Sequence, residues 1–252
     1  MVMKKLIFIV LINFITAANA QDISTLLKEA SNFELKFNET EALDKYKEVI
    51  VIEPSNYKAL QNIIELSCSI GSREKKVNDK RLYYESALAY ANRIFIIDST
   101  NANTYYLLAM VSGKLTEVET ENKKKVNLVK DIKEYADKSL AINPNHGLAN
   151  FILGKWHFEM LDLSWFKKLA VKTLYGGLPE PSLEKCIFYL EKCKKQEPYF
   201  VYNYLTLAKA YKEDNNAVKA IETLKLITKL PKRCFDDIAY IDEGKRMLEA
   251  EQ

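Results

Sequence analysis

Glycine is scarce in this chain, with 7 in 252 residues, and proline is scarcer still at 6. So little of either excludes collagen-like, low-complexity and loop-dominated architectures. Histidine occurs only as His146 and His157. His157 and Glu159 lie two apart and would point in different directions on a helix, and no third ligand is spaced to complete a zinc site. The sequence has neither GxxxxGK[ST] nor GxGxxG, so the pair Gly176-Gly177 is no phosphate cradle. No Ser, His and acid set, nor a Cys and His pair, stands out as a nucleophile with its base. The chain reads as a non-enzyme with no cofactor and no metal.

A long apolar run is also lacking. Leu6 to Ile15 is mostly apolar but broken at Asn13, and a membrane span needs about 20 residues. A basic start at Lys4 and Lys5, that short core, and Ala18-Asn19-Ala20 before Gln21 together make an export leader. Residues 1–20 are therefore expected to be cleaved, leaving 21–252 as an exported chain, periplasmic or secreted. The loss of two lysines leaves 35 basic against 34 acidic side chains. That balance offers no field for nucleic acid or for an anionic membrane. Four cysteines in an exported protein suggest disulfides, yet Cys186 and Cys193 would lie about 10 Å apart along one helix, too far for a bridge. Free thiols packed as small hydrophobes are expected.

What the chain has is a period. Glu53-Pro54-Ser55-Asn56, Asp98-Ser99-Thr100-Asn101 and Asn143-Pro144-Asn145-His146 follow at steps of 45 residues, and Glu197-Pro198 comes 54 later. Each stop ends an amphipathic stretch of 3.6-residue periodicity and is followed by another. The last unit is the clearest. Tyr204, Leu207, Ala208 and Tyr211 precede a turn at Asp214-Asn215-Asn216, then come Ala220, Leu224, Ile227 and Pro231. This spacing resembles a tetratricopeptide repeat, in which small residues let two antiparallel helices approach and large ones fill the space between units. Weaker copies run through Leu26, Ala30, Ala42 and Tyr46; Leu60, Ile63, Ala87 and Ala91; Tyr105, Leu108, Ile132 and Ala136; and Leu153, Gly154, Cys186 and Leu190. The prediction is an all-α solenoid of five helical hairpins with a capping helix from about Phe235 to Ala250.

Three units are longer than a 34-residue repeat. The surplus at Gly71 to Tyr84 and Glu117 to Lys130, including Lys123-Lys124-Lys125, is charged and reads as solvated helix extension. The third surplus, Leu161 to Tyr175, is apolar and aromatic and is expected to pack back on the array. Around it, Gly154-Lys155-Trp156-His157-Phe158 and Leu163-Ser164-Trp165-Phe166, then Lys168 and Ala170, resemble the regulator of microtubule dynamics family. That resemblance implies a small, non-catalytic adaptor of tetratricopeptide type. Animal members are associated with microtubules or membrane contacts. An exported chain departs from them there, so the resemblance is taken to imply the fold alone.

Helix A of each unit should line a concave face. The positions expected to meet a partner there are Asn62, Tyr106, Met110, Phe151, Lys155, Tyr202 and Lys209. An apolar patch of this size marks a partner site, and a peptide or helix laid into it would anchor on Tyr106, Met110, Phe151 and Tyr202. The alternative is that the insertion Leu161 to Tyr175 fills the groove itself and makes those residues core. Lys58 and Asn62 resemble half of a carboxylate clamp, which Asn103 and Leu107 do not complete, so a chaperone-tail receptor is not expected. His157 is expected as a packed core histidine and His146 as an exposed one. The reading is an exported protein- or peptide-binding scaffold. The alternatives are a structural subunit of an envelope complex, or a carrier of a small apolar ligand under Trp156, Trp165 and Tyr175.

Overall fold

The computed structural model describes residues 22–162, 171–173 and 176–251. The expected leader at 1–20 and most of the aromatic insertion, Trp165 and Tyr175 included, lie outside them. Among the described residues all regular structure is helical: α1 (22–35), α2 (Glu39–Ile52), α3 (Tyr57–Arg73), α4 (Val77–Ile97), α5 (Ala102–Thr116), α6 (Asn122–Ile142), α7 (Gly147–Leu161), α8 (Leu183–Gln196), α9 (Val201–Glu213), α10 (Ala217–Ile227) and α11 (Asp237–Glu249).

The stops explain the boundaries. Helices α2, α4 and α6 end at Ile52, Ile97 and Ile142, each two residues before Pro54, Ser99 or Pro144. Two residues beyond the stop a polar side chain starts the next helix. Asn56 accepts from the Ala59 N–H at 2.9 Å, Asn101 from Asn103 at 2.9 Å and His146 Nδ1 from Ala149 at 3.2 Å. Such caps satisfy amide groups that the first turn leaves without a helical partner. His146 is thus a half-buried helix cap, not the exposed residue its loop position suggested.

The helix pairs follow one plan. Within hairpins α3 packs on α4, α5 on α6, α7 on α8 and α9 on α10. Between hairpins each B helix meets the next A helix, and α3, α5, α7 and α9 touch in series along the A side. Alanines sit where helices cross: Ala42, Ala87, Ala91, Ala136, Ala208 and Ala220 are all buried. Gly154 serves this purpose in α7, where an added Cβ would lie 2.6 Å from Leu190 Cγ on α8. Leu60, Ile63, Ile64, Ile94 and Leu107 form the centre of the largest core cluster, which joins the first three units. Helix α11 covers α9 and α10.

The first and last A helices end alike. Asn38 N donates to Phe33 O at 2.9 Å and Phe37 N to Glu34 O at 2.9 Å. Asn216 N donates to Tyr211 O at 2.8 Å and Asn215 N to Lys212 O at 3.0 Å. These are Schellman closures, which place one residue in the left-handed region. Phe37 takes it at φ 60° and Asn215 at φ 55°.

The charged surpluses are helix extensions: α4 and α6 each run to 21 residues, and Lys123 to Lys125 are exposed. The cysteines are free. Cys68, Cys186 and Cys193 are buried, but Cys234, in the loop before α11, is exposed and so departs from the expected packing role. Among the described residues no helix is long and apolar enough to cross a membrane.

Candidate functional site

The A helices bring one side chain after another onto a common face. On α3, Gln61, Glu65, Ser69 and Arg73 recur every fourth residue and so share a side of the helix. Asn103 Nδ2 on α5 donates to Gln61 Oε1 at 2.9 Å, and Gln61 Nε2 donates to Glu65 Oε1 at 3.3 Å. Asn103 Oδ1 faces His146 Nε2 at 3.3 Å. Because His146 Nδ1 accepts the cap bond, its proton sits on Nε2, which donates to Asn103. Tyr106 lies against His146, with ring centroids 5.3 Å apart, and its hydroxyl meets Met110 Sδ at 3.4 Å. A polar chain therefore ties the second, third and fourth units together on this side.

The later units are aromatic. Phe151 on α7 meets Phe200 at 4.8 Å and Tyr202 at 5.1 Å between centroids. Tyr202 stacks on Tyr240 of α11 at 4.3 Å, with planes 2° apart. Lys155 pairs with Glu159 and stands 5.9 Å over the Tyr202 ring, while Lys209 pairs with Glu243 at 2.7 Å.

The seven expected positions all lie on A helices: Asn62 on α3, Tyr106 and Met110 on α5, Phe151 and Lys155 on α7, Tyr202 and Lys209 on α9. Asn62, Met110, Lys155, Tyr202 and Lys209 are half-buried. Tyr106 and Phe151, expected either as anchors for a partner or as core, are only 6% and 5% accessible, because neighbouring A helices lean close enough for their rings to be packed between units. They support the wall of the face. Tyr240 and Arg73 belong to the same region and carry no repeat signature that would have marked them.

Burial governs the ionisable groups here. Glu65 is pushed up to about 7, chiefly by burial and further by the charge of Glu34, against the Gln61 bond. Burial alone raises the Cys186 thiol to about 12, and it dominates at Cys68, also raised to about 12. These thiols are held in the form that is not nucleophilic. His157 is packed as expected: it is 2% accessible, accepts from Ser182 N at 3.2 Å through Nδ1, and stacks on Tyr189. Burial, then the charges of Lys133 and Lys185, hold it down to about 4. The Trp156 indole donates to Val129 O at 3.0 Å and is committed to packing on α6. Among the described residues no three His, Cys, Asp or Glu side chains gather to hold a metal ion.

Antiparallel helix pairs, small residues at their crossings and a shared A-helix face define a tetratricopeptide-type helical array, a class that suits protein docking. A crystal structure of TTC0263, a tetratricopeptide-repeat protein of Thermus thermophilus, superposes with a TM-score of 0.62 at 12% identity, covering 89% of this chain and 99% of that one. This likeness concerns the fold. The family described as Regulator of microtubule dynamics protein 1-3 matches residues 26–252, and the chain belongs to it. It is similar to Regulator of microtubule dynamics protein 3 of Bos taurus, 26% identical over 167 residues, which are 66% of this chain and 35% of that protein. It is also similar to Regulator of microtubule dynamics protein 1 of Mus musculus, 27% identical over 192 residues, which are 76% of this chain and 61% of that one. The chain thus spans between about a third and three fifths of these relatives' lengths.

Proposed function

We propose that this protein is an exported, non-catalytic scaffold that takes a segment of another protein on its A-helix face. The observation behind the reading is the set Asn62, Met110, Lys155, Tyr202 and Lys209, half-buried residues carried by the A helices of four successive units. Half-buried polar and aromatic side chains of this kind give a peptide both hydrogen-bond partners and rings to lie against. The non-catalytic part is supported by the commitment of His157, Cys68 and Cys186 to packing. Export is supported by the pattern of residues 1–20, and a mature chain starting at Gln21 is the expected result of N-terminal sequencing. The word microtubule belongs to the names of the relatives; an exported chain would share with them the family's fold.

The test is affinity capture from the source cells with the wild type and with an Asn62→Arg, Met110→Arg double variant whose circular dichroism is unchanged. A discrete partner held by the wild type and lost by the variant supports the A-helix face as the docking site. A partner held equally by both rejects it. A second reading, a carrier of a small apolar ligand, draws on the continuous run Phe151, Tyr202 and Tyr240. Mass spectrometry of the undenatured protein distinguishes it, since a carrier retains a bound compound.

A further inference from the structure

Contacts in an array of this kind are between neighbours, and each unit needs only the next. Among the described residues, one set of contacts breaks that rule. The loop between α10 and α11 reaches back to α3, and Arg73, the last residue of α3, is the meeting point. Its Nη1 donates to Asp236 Oδ1 at 2.6 Å and to Ser69 Oγ at 3.0 Å. Ser69 Oγ donates in turn to Asp236 Oδ2 at 3.0 Å. The guanidinium lies 4.7 Å from the centroid of Phe235, and its Nη2 pairs with Glu39 at the start of α2. Asp236 is 163 residues from Arg73 in the chain. Because α3, α5, α7 and α9 touch in series and α11 packs on α9, this bond completes a circuit of inner helices.

The loop is shaped for the contact. Asp237, itself buried, accepts from Arg233 N at 2.7 Å and Cys234 N at 3.1 Å through Oδ2. That brace turns residues 233–237 so that Phe235 and Asp236 meet Arg73. One guanidinium serves two carboxylates, Glu39 and Asp236, with an aromatic face beside it, and all three charged side chains are at least two-thirds covered. Charge-assisted bonds in such surroundings are stronger than exposed ones and less screened.

We propose that Arg73 and Asp236 form a latch that joins the second unit to the loop before the capping helix and governs access to the A-helix face. The latch stands on the contact itself; only what it admits rests on the docking reading above. The test is hydrogen exchange, followed by mass spectrometry, on the full protein as purified. Asp236→Asn and Arg73→Gln are expected to raise exchange across 233–240 by about tenfold or more. Glu39→Gln, which breaks the arginine's other pair, is expected to leave 233–240 unchanged, and so are α5 to α7 in every variant. Should Arg73→Gln unfold, Arg73→Lys replaces it, since one ammonium cannot reproduce the guanidinium's fork to Asp236, Ser69 and Glu39, and faster exchange is again expected across 233–240. Unchanged exchange at 233–240 in all of these overturns the latch. Access is read separately by maleimide labelling of Met110→Cys in a Cys234→Ser background. Labelling faster by about the same factor with Asp236→Asn supports gating. Equal labelling rates alongside raised exchange overturn the gating and leave the docking reading intact.

Discussion

Two helical glycines are expected to respond to alanine with opposite signs. Gly154 lies in α7 and Gly113 in α5, both inside A helices. Glycine within a helix costs about 1 kcal/mol relative to alanine, so each substitution starts with that gain. At Gly113 nothing opposes it: the new methyl would stand 3.8 Å from Ile132 Cδ1, an ordinary van der Waals distance. Gly113→Ala is expected to stabilise by about 0.5–1 kcal/mol. At Gly154 the methyl would meet Leu190 Cγ at 2.6 Å, Leu190 Cδ2 at 2.7 Å and the Cys186 carbonyl oxygen at 3.2 Å. Leu190 is fully buried, so it has no solvent-filled space to enter. The helices must separate or the side chain must leave its rotamer, and overpacking of this kind costs about 1–3 kcal/mol. The net expectation for Gly154→Ala is a loss of about 1–2 kcal/mol. Urea unfolding followed at 222 nm reads both. Leu190→Ala added to Gly154→Ala should then cost less than Leu190→Ala alone, by about 1 kcal/mol or more. Equal midpoints for the two glycine variants would refute the close α7–α8 crossing.

Three further outcomes follow from burial and backbone geometry. Glu65 has a folded pKa of about 7 against an ordinary 4.5, so its contribution to stability is full below about pH 4.5 and is lost as pH rises through 7. Urea midpoints at pH 5 and pH 8 should show Glu65→Gln escaping a wild-type loss on the order of 2 kcal/mol; parallel behaviour of the two proteins contradicts it. His157, held near 4, stabilises above about pH 6.5 and loses that contribution as pH falls through 4. Its ring protons should titrate with a midpoint near 4 by NMR, and a midpoint near 6.5 would show an exposed ring. Asn215 is left-handed at φ 55°, so Asn215→Ala is expected to cost about 1 kcal/mol and Asn215→Gly only a few tenths, as thermal melting would show.

The array was legible because its punctuation is chemical. Pro54, Ser99 and Pro144 end helices for reasons that need no tertiary context, and Asn56, Asn101 and His146 start the next ones. The burial of Ala208 and Ala220 was likewise visible as small residues at repeat positions. The candidate face was legible only as a list of positions. Periodicity shows which side of α5 holds Tyr106, but its burial depends on the next unit, whose His146 ring lies 5.3 Å from its own between centroids. His146 misled because a loop residue after proline looks solvated, whereas its ring closes an amide of α7 and meets Asn103. The contact of Arg73 with Asp236 had no local trace at all, since it depends on the curvature summed over every unit between them.

The account rests on the A-helix face as the place where a partner docks. Site-specific photocrosslinking in the source cells tests this most directly, with a benzophenone side chain at Met110 on the face and, in a second protein, at Ile96 on α4, which is 85% exposed. The account predicts a discrete crosslinked species from Met110 and none from Ile96. Crosslinks from Ile96 with none from Met110 would place docking on the outer helices and contradict it.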